Sequence, residues 1–321
     1  MAEHDRQDNH RGRHAERPTQ VTKSGWRDIF LRVKEQIAKD NVTLIAAGVA
    51  FYGVLATFPA IAALISLWSL VFDPQQIQQQ ILTLGVIMPP EASHIIEQQA
   101  RKIIADTDMG INLTAVGSIL FAVLTASRGV ANLMDGMNIV YNEVERRSLL
   151  KLILLTLAFT SGLIVMTVIA LVVIVFMPIL ASYLSLGSLV SALISYLRWP
   201  LLAIVVMFSI ATLYRYGPHR AHPRWEWVSI GTVSATLLWI LGSIGLSLYI
   251  RAFSSFDKTY GFLGAVMVLL IWFWLSAFSV LMGAELNSEM ERQTKRDSTV
   301  RPDRPMGKRQ AYSADTVGKK P

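Results

Sequence analysis

The sequence predicts an all-α polytopic membrane protein with six transmembrane helices, and two long uncharged stretches carry this prediction. No Asp, Glu, Lys or Arg occurs from Asn41 to Phe72, nor across the 46 residues from Leu152 to Leu197. A run of about 20 apolar residues is enough for a helix to cross a bilayer. The composition agrees, because 17% of the residues are charged, against about 25% in soluble domains.

Hydrophobic runs define six spans, at residues 43–71, 112–134, 152–178, 199–216, 228–250 and 262–285. These spans form one transmembrane domain over residues 26–290. The flanking segments 1–25 and 291–321 are rich in charged and polar residues and show no apolar periodicity. Such segments bury too little apolar surface to fold, so we expect two disordered tails.

The distribution of Lys and Arg predicts the orientation, because cytoplasmic segments hold the excess of these residues. Segments on the side of the two termini contain 24 of them, against five on the other side, and Arg128 lies within a span. We therefore expect both termini in the cytoplasm. The long uncharged run has room for two spans, but seven spans would reverse this bias. We expect one span at 152–178 and an external apolar segment at 179–198 that is interfacial or re-entrant.

The segment 73–110 predicts an amphipathic helical element on the external side, after the first span. Its apolar face begins after Pro89-Pro90 and consists of Ile95, Ile96, Ala100, Ile103 and Ile104. Charged and polar residues occupy the opposite face at helical spacing. Two interpretations stay open, a helix packed on the ends of the spans or a lid that faces lipid.

Small residues in the first span predict a central, closely packed helix. The span contains seven Ala and Gly residues from Ala46 to Ala60, and such residues allow close approach of backbones in lipid. Pro59 removes a backbone hydrogen bond late in this span. We expect a kink in the helix at that residue.

Arg128 is the most informative ionisable residue within a predicted span. A charge in hydrocarbon is costly and usually faces a partner or a water-filled cavity. Glu285, at the end of the sixth span, is the acid inside or next to a span at a similar depth. We expect these two residues to pair or to share a hydrated vestibule, with snorkelling of Arg128 to the interface as the alternative.

A polar loop follows the second span and contributes most of the other candidate residues. Helical continuation would put Asp135 and Asn138 on one side and Tyr141 and Arg147 on others. Two interpretations stay open for this loop, anchoring of helix ends at the interface or a gate that binds a substrate headgroup. The turn that contains Tyr214 and Arg215 is the segment expected to face it, although both residues are also ordinary interfacial anchors.

Enzymatic chemistry has little support in this sequence. The chain has no Cys, and three of its six His residues lie near the N-terminus. His219 and His222 stand beside arginines with Glu226 as the nearby acid, which is a poor metal site. We expect no metal, no cofactor and no catalytic activity. The net charge of +7 is explained by membrane topology and by attraction to anionic lipid headgroups, so we expect membrane lipids and not nucleic acid as partners.

Four stretches carry a resemblance to a known family, and they are Ala46–Tyr52 with Phe58-Pro59, Met137–Tyr141 with Glu145–Arg147, Leu213–Pro218, and Tyr260–Gly264 with Gly283–Asn287. They resemble the YihY/BrkB family of bacterial inner-membrane proteins, in order and at the expected spacing. The resemblance implies a six-helix, transporter-like protein. The family is linked by name to resistance to serum killing, and it once bore the label ribonuclease BN, now regarded as mistaken.

Relatives in this family have been connected with moving lipids or other solutes. The expected function is therefore transport or flipping of a lipid or another amphipathic, anionic solute, with Arg128 holding the anionic group. The alternative is a membrane scaffold or envelope assembly factor that transports nothing. A polar cavity that reaches Arg128 from one membrane face favours transport, whereas solid packing of the spans favours a scaffold.

Overall fold

The computed structural model describes residues 11–69, 113–183, 188–252, 262–300 and 302–319. Its regular elements in these ranges are helical. They are α1 (Lys23–Lys39), α2 (Val42–Ser69), α3 (Leu113–Val140), α4 (Leu149–Tyr183), α5 (Ser188–Tyr216), α6 (Trp225–Ala252), α7 (Phe262–Glu291) and α8 (Tyr312–Asp315).

Six of these helices are long and apolar enough to cross a membrane, which confirms the predicted all-α fold with six spans. Within the described residues, the apolar segments are Val42–Ala62, Val116–Val140, Leu149–Ala170, Trp199–Tyr216, Trp225–Ile250 and Leu263–Glu291. The protein is therefore a multi-pass membrane protein. The predicted amphipathic helix within 73–110 lies outside the described residues.

The apolar segment 179–198 differs from its prediction. Helix α4 continues to Tyr183 and helix α5 begins at Ser188, so the described part of this segment belongs to the ends of two consecutive helices. In residues 179–183 and 188–198 the structure shows no helix separate from these two. At a rise of 1.5 Å per residue, the 35 residues of α4 span about 52 Å, which exceeds the roughly 30 Å hydrocarbon thickness.

Both tails also differ from their prediction, because residues 11–22, 292–300 and 302–319 pack against the helices. Arg13 donates a 2.8 Å hydrogen bond to the carbonyl oxygen of Gly318, and Ala221 N donates one of the same length to Gln310 O. The side chains of Arg309 and Ser313 are buried. These tails are ordered by polar contacts between residues that are far apart in sequence, and a test for apolar periodicity does not detect such contacts.

Helix α1 positions the N-terminal tail on the end of α7. The hydroxyl of Thr22 accepts the backbone N–H of Gly25 and caps the helix. One face of α1 then packs into an apolar core cluster that consists of Ala15, Val21, Ile29, Val33, Trp227, Leu286 and Met290. The opposite face leaves Phe30 and Leu31 exposed.

The described chain divides into two compact units, and the candidate site lies in the first. This unit contains the described residues within 11–46, 132–241 and 276–319, and the second contains those within 47–131 and 242–275. In the second unit a Cβ built at Gly53 would lie 3.0 Å from the ring of Phe273. That close approach agrees with the predicted packing role of small residues in the first span. Pro59 lies within the continuous helix α2, and the kink there stays a prediction.

Candidate functional site

Asn138, in the last turn of α3, joins two loops of the first unit. Its Oδ1 accepts the backbone N–H of His219 at 2.8 Å, and its Nδ2 donates to Glu145 Oε2 at 3.1 Å. The side chain is buried. Asn138 therefore fixes the loop after α3 against the turn between α5 and α6.

Arg147 holds the same turn through backbone carbonyl groups. Its guanidinium donates to the carbonyl oxygens of Gly217 and Pro218, each at 2.9 Å. It also contacts Glu145 Oε2 at 3.4 Å. Asn138 and Arg147, two residues of the predicted site, both contact Glu145, and protein partners occupy both side chains.

Tyr141 lies in a buried polar cluster below that turn. The guanidinium carbon of Arg220 stands 4.3 Å from the centre of the Tyr141 ring, within cation–π distance. Arg220 Nη2 pairs with Glu291 Oε1 at 2.6 Å, and Ser298 Oγ donates to Glu291 Oε2 at 2.7 Å. Burial raises the pKa of the Tyr141 hydroxyl above its usual range.

Tyr214 contacts the last span. Its hydroxyl donates a 2.6 Å hydrogen bond to the carbonyl oxygen of Val280, and the side chain is fully buried. This residue ties α5 to α7 and has no surface for a ligand.

Arg215, the next residue, has a different environment. Its guanidinium carbon lies 4.4 Å from the ring centre of Trp225 and 5.6 Å from that of Tyr216. Its Nε and Nη1 atoms are buried and donate to no acceptor within the described part of the chain. No described carboxylate pairs with Arg215, so its charge is held by aromatic rings and has no counter-ion there.

A cavity of about 500 Å³ opens beside Arg215. It is lined by Glu16, Arg17, Arg215, Arg224, Trp225, Glu226 and Val300. The two other arginines have carboxylate partners, since Arg17 pairs with Glu226 and Arg224 with Asp303. Arg215 is thus the lining cation that lacks a described counter-ion.

A second depression lies between α4 and α5 and has a volume of about 240 Å³. It is lined by Leu155, Ala158, Phe159, Gly162, Leu163, Met166, Phe208, Ser209 and Thr212. The hydroxyls of Ser209 and Thr212 donate to backbone carbonyls of their own helix, at 2.9 Å and 2.8 Å. The groove therefore offers mainly apolar surface.

The groove and the arginine share one side of α5. Phe208, Thr212 and Arg215 follow the spacing i, i+4 and i+7, which puts them on one helical face. Arg215 is the second-last residue of α5, so its charge stands at the end of the span. An elongated molecule with an apolar body and an anionic end fits this order of surfaces.

The remaining predicted residues do not join this arrangement. Arg128 is exposed and makes no ion pair or hydrogen bond with the described residues, and Asp135 is exposed as well. Glu285 is fully buried. Arg128 and Glu285 belong to different units, so their pairing stays a prediction. Across the described ranges no three His, Asp or Glu side chains form a group that could hold a metal ion.

A comparison with protein families matches residues 33–307 to the model described as virulence factor BrkB. This chain belongs to the BrkB family. The match includes the polar loop after α3, the turn around Arg215 and most of the C-terminal tail. The family model therefore extends into the ordered C-terminal tail as far as residue 307.

Curated BrkB relatives are similar over most of their length. The ribonuclease-like protein YfkH of Bacillus subtilis (strain 168) is 26% identical over 254 residues, covering 78% of this chain and 90% of that protein. A UPF0761 membrane protein of Aliivibrio salmonicida (strain LFI1238) is 28% identical over 275 residues, covering 81% of this chain and 82% of that protein. No solved structure matches this chain.

Sequence reasoning missed two contributors to the site of this BrkB protein, Trp225 and Arg220. A signal was present for Trp225, because Tyr216 and Trp225 border consecutive spans and therefore lie at one interface. Arg220 had no comparable signal, since its partner Glu291 is 71 residues away in sequence.

Proposed function

We propose that this BrkB-family protein moves an amphipathic anionic solute, a lipid among the candidates, across the bacterial inner membrane. The single observation that supports this function is the unneutralised charge of Arg215, which stands at a cavity on the same face of α5 as an apolar groove. A phosphate group would complete the hydrogen bonds of the guanidinium in a bidentate manner. An acyl chain would occupy the groove.

The energetics favour a charged ligand at Arg215. Burying hydrogen-bond donors of a cation without acceptors costs about 1–3 kcal/mol or more for each group left unsatisfied. The rings of Trp225 and Tyr216 offset only part of this cost, since one cation–π contact contributes about 0.5–2 kcal/mol. An anion in the cavity would remove the remainder. No residue in this proposal is catalytic, and no cofactor takes part.

The proposed orientation puts the cavity on the cytoplasmic side. Both tails and the turn that carries Arg215 belong to the Lys- and Arg-rich side of the chain, and such segments stay in the cytoplasm. Anionic headgroups of the inner leaflet would then surround α1 and the cavity. A reporter fused after Pro321 tests this orientation, because activity on the periplasmic side would overturn it.

Reconstitution into liposomes tests the function directly. Vesicles of phosphatidylethanolamine and phosphatidylglycerol would contain a fluorescent phospholipid, and a membrane-impermeant quencher would report how fast it changes leaflet. Wild-type protein is expected to accelerate the exchange, and Arg215→Ala to reduce it about tenfold or more, from the loss of about 1.5–3 kcal/mol of charged hydrogen bonding. Exchange in wild-type vesicles no faster than in protein-free vesicles would overturn lipid movement.

Two further variants give the comparison its specificity. Arg146→Ala removes an exposed arginine that makes no described contact, so its exchange rate should equal that of the wild type. Arg128→Ala in the same assay tests the role that the sequence predicts for Arg128. If Arg146→Ala and Arg215→Ala reduced the rate of lipid exchange equally, net charge, and not the cavity, would control this rate.

A scaffold without transport is the second candidate, and one observation favours it. The buried pairs Arg32–Glu289 and Arg220–Glu291 connect α1 and the turn between α5 and α6 to the end of α7. A scaffold predicts no lipid exchange in any variant, with stable co-purification of an envelope protein that survives Arg215→Ala.

A further inference from the structure

Glu285 differs from two other buried glutamates of the same helix. Glu289 pairs with Arg32 and Arg292, and Glu291 pairs with Arg220. Glu285 is equally buried, with no exposed side-chain surface, yet neither of its carboxylate oxygens has a hydrogen-bond partner among the described residues. Three carboxyl groups within seven residues therefore share the same depth of burial, and Glu285 alone among them lacks a cation.

Burial without a partner determines the protonation state of such a group. An ionised carboxylate that has neither water, donor nor cation is strongly destabilised, and the group becomes neutral instead. The protonated acid has no net charge and is much less costly to bury. Glu289 and Glu291 can be buried without such a proton, because the paired arginines compensate the charge of each carboxylate.

None of the charged groups described around Glu285 is a cation available to compensate the charge of its carboxylate. Lys39 and Asp40 act on it from the C-terminal end of α1, Glu289 acts from its own helix, and Arg292 acts from the residue that follows this helix. Tyr141 also lies within electrostatic range, on the loop after α3. Arg292 is engaged by Glu289, and Lys39 is exposed. Asp40 adds negative charge, with one oxygen buried and unpartnered.

We propose that Glu285 is a proton-binding site of this protein, occupied in the closed arrangement of α1 on α7 and emptied when the C-terminus of α1 moves away. On release, the carboxylic acid becomes a carboxylate and its proton passes to water at Lys39–Asp40. The new carboxylate then repels the carboxyl groups of Glu289 and Asp40. This weakens the Arg32–Glu289 contact that holds α1 to α7. The coupling of this proton to solute movement rests on the proposed function, whereas the proton site itself does not.

Infrared spectroscopy of the full chain in liposomes tests the site independently of transport. The carbonyl stretch of a protonated carboxylic acid is separate from that of a carboxylate, and the difference between wild type and Glu285→Gln isolates the contribution of Glu285. At neutral pH we expect a protonated-acid band that is lost in Glu285→Gln and kept in the control Glu35→Gln, which replaces an exposed glutamate of α1. Identical bands in wild type and Glu285→Gln would overturn the proposal.

Stability measurements give the second readout. Glutamine is the nearest neutral replacement for the protonated acid, so Glu285→Gln should fold and should unfold at the same temperature as the wild type or higher. Its advantage should grow as the pH rises, because the wild type alone loses the proton. Failure of Glu285→Gln to fold would count against the proposal. If this variant lacks the band while wild-type protein moves no lipid, the proton site stands and the transport function fails.

Discussion

Arg220 and Glu291 form an ion pair at complete burial, with 2.6 Å between Nη2 and Oε1 and almost no exposed surface on either side chain. The pair joins the turn between α5 and α6 to the end of the last span. Ser298 and the ring of Tyr141 complete its surroundings. This contact therefore connects the C-terminal tail, the last span and the turn next to Arg215.

Removing one partner of this ion pair should strongly destabilise this region. Arg220→Ala leaves the carboxylate of Glu291 buried without a cation, and such changes cost about 3–5 kcal/mol. The double variant Arg220→Met/Glu291→Leu removes both charges, so it should recover most of that loss. Thermal unfolding in detergent, followed by circular dichroism, measures both effects. Additive losses in the double variant would show that the two residues act separately.

Arg147 and its neighbour Arg146 provide a matched pair for the turn. Arg147→Ala removes two charged hydrogen bonds to the carbonyl oxygens of Gly217 and Pro218, which should lower the free energy of unfolding by about 1–3 kcal/mol. Arg147→Lys should recover only part of this lost free energy, because the ammonium group of lysine lacks the planar guanidinium that donates to both carbonyl oxygens. Arg146→Ala should stay within about 0.5 kcal/mol of the wild type. Equal unfolding temperatures for the two alanine variants would contradict the carbonyl clamp.

The sequence predicted the spans well because their signal is local. Missing charges and apolar length identify a span whatever it packs against, and the predicted span from 199 to 216 ends where helix α5 ends, at Tyr216. The same signal failed at 179–198, where apolar residues continue two helices beyond the hydrocarbon thickness. Apolar length alone does not tell a helix extension from an interfacial segment.

The order of the tails was missed because its causes are distant in sequence. Arg32 pairs with Glu289 across 257 positions, and Arg13 reaches Gly318 across 305. A polar composition predicts disorder as long as the partners of the polar groups are unknown. Here the partners are the carboxylates and carbonyls at the end of α7. The candidate site shares this property, since Arg215 was identified from its motif but its isolation from carboxylates required the fold.

Two glycines of helix α6 should respond oppositely to substitution by alanine. A Cβ at Gly231 would collide with the carbonyl oxygen of Gly283 and with the side chain of Asn287, which accepts the Gly231 N–H at 2.9 Å. Gly231→Ala should therefore cost at least about 1–3 kcal/mol. At Gly245 no described atom lies within 4 Å of the new Cβ. Gly245→Ala should be neutral or stabilising by about 0.5–1 kcal/mol, and unfolding in detergent compares the two.

Asp297 should make the order of the C-terminal tail dependent on pH. Burial alone would raise the pKa of its carboxyl, but hydrogen bonds from the backbone N–H of Arg304 at 2.7 Å and from Thr299 lower the pKa below its ordinary value of 3.8. The folded tail thus binds this proton less readily than the unfolded tail does. Its stabilisation is present above pH 3.8 and is lost as the pH falls toward the folded pKa.

Hydrogen–deuterium exchange of residues 296–319, measured between about pH 3 and pH 6 and corrected for the intrinsic exchange rate, checks this pH dependence. Wild-type protein should lose protection in the tail toward the acid end of the range. Asp297→Asn should show weaker protection throughout and a flatter pH dependence, because the amide cannot ionise. Asp303→Asn is the matched control, since the exposed Asp303 pairs only with Arg224 among the described residues. If Asp297→Asn kept the full acid-dependent loss, the carboxylate of Asp297 would not be its source.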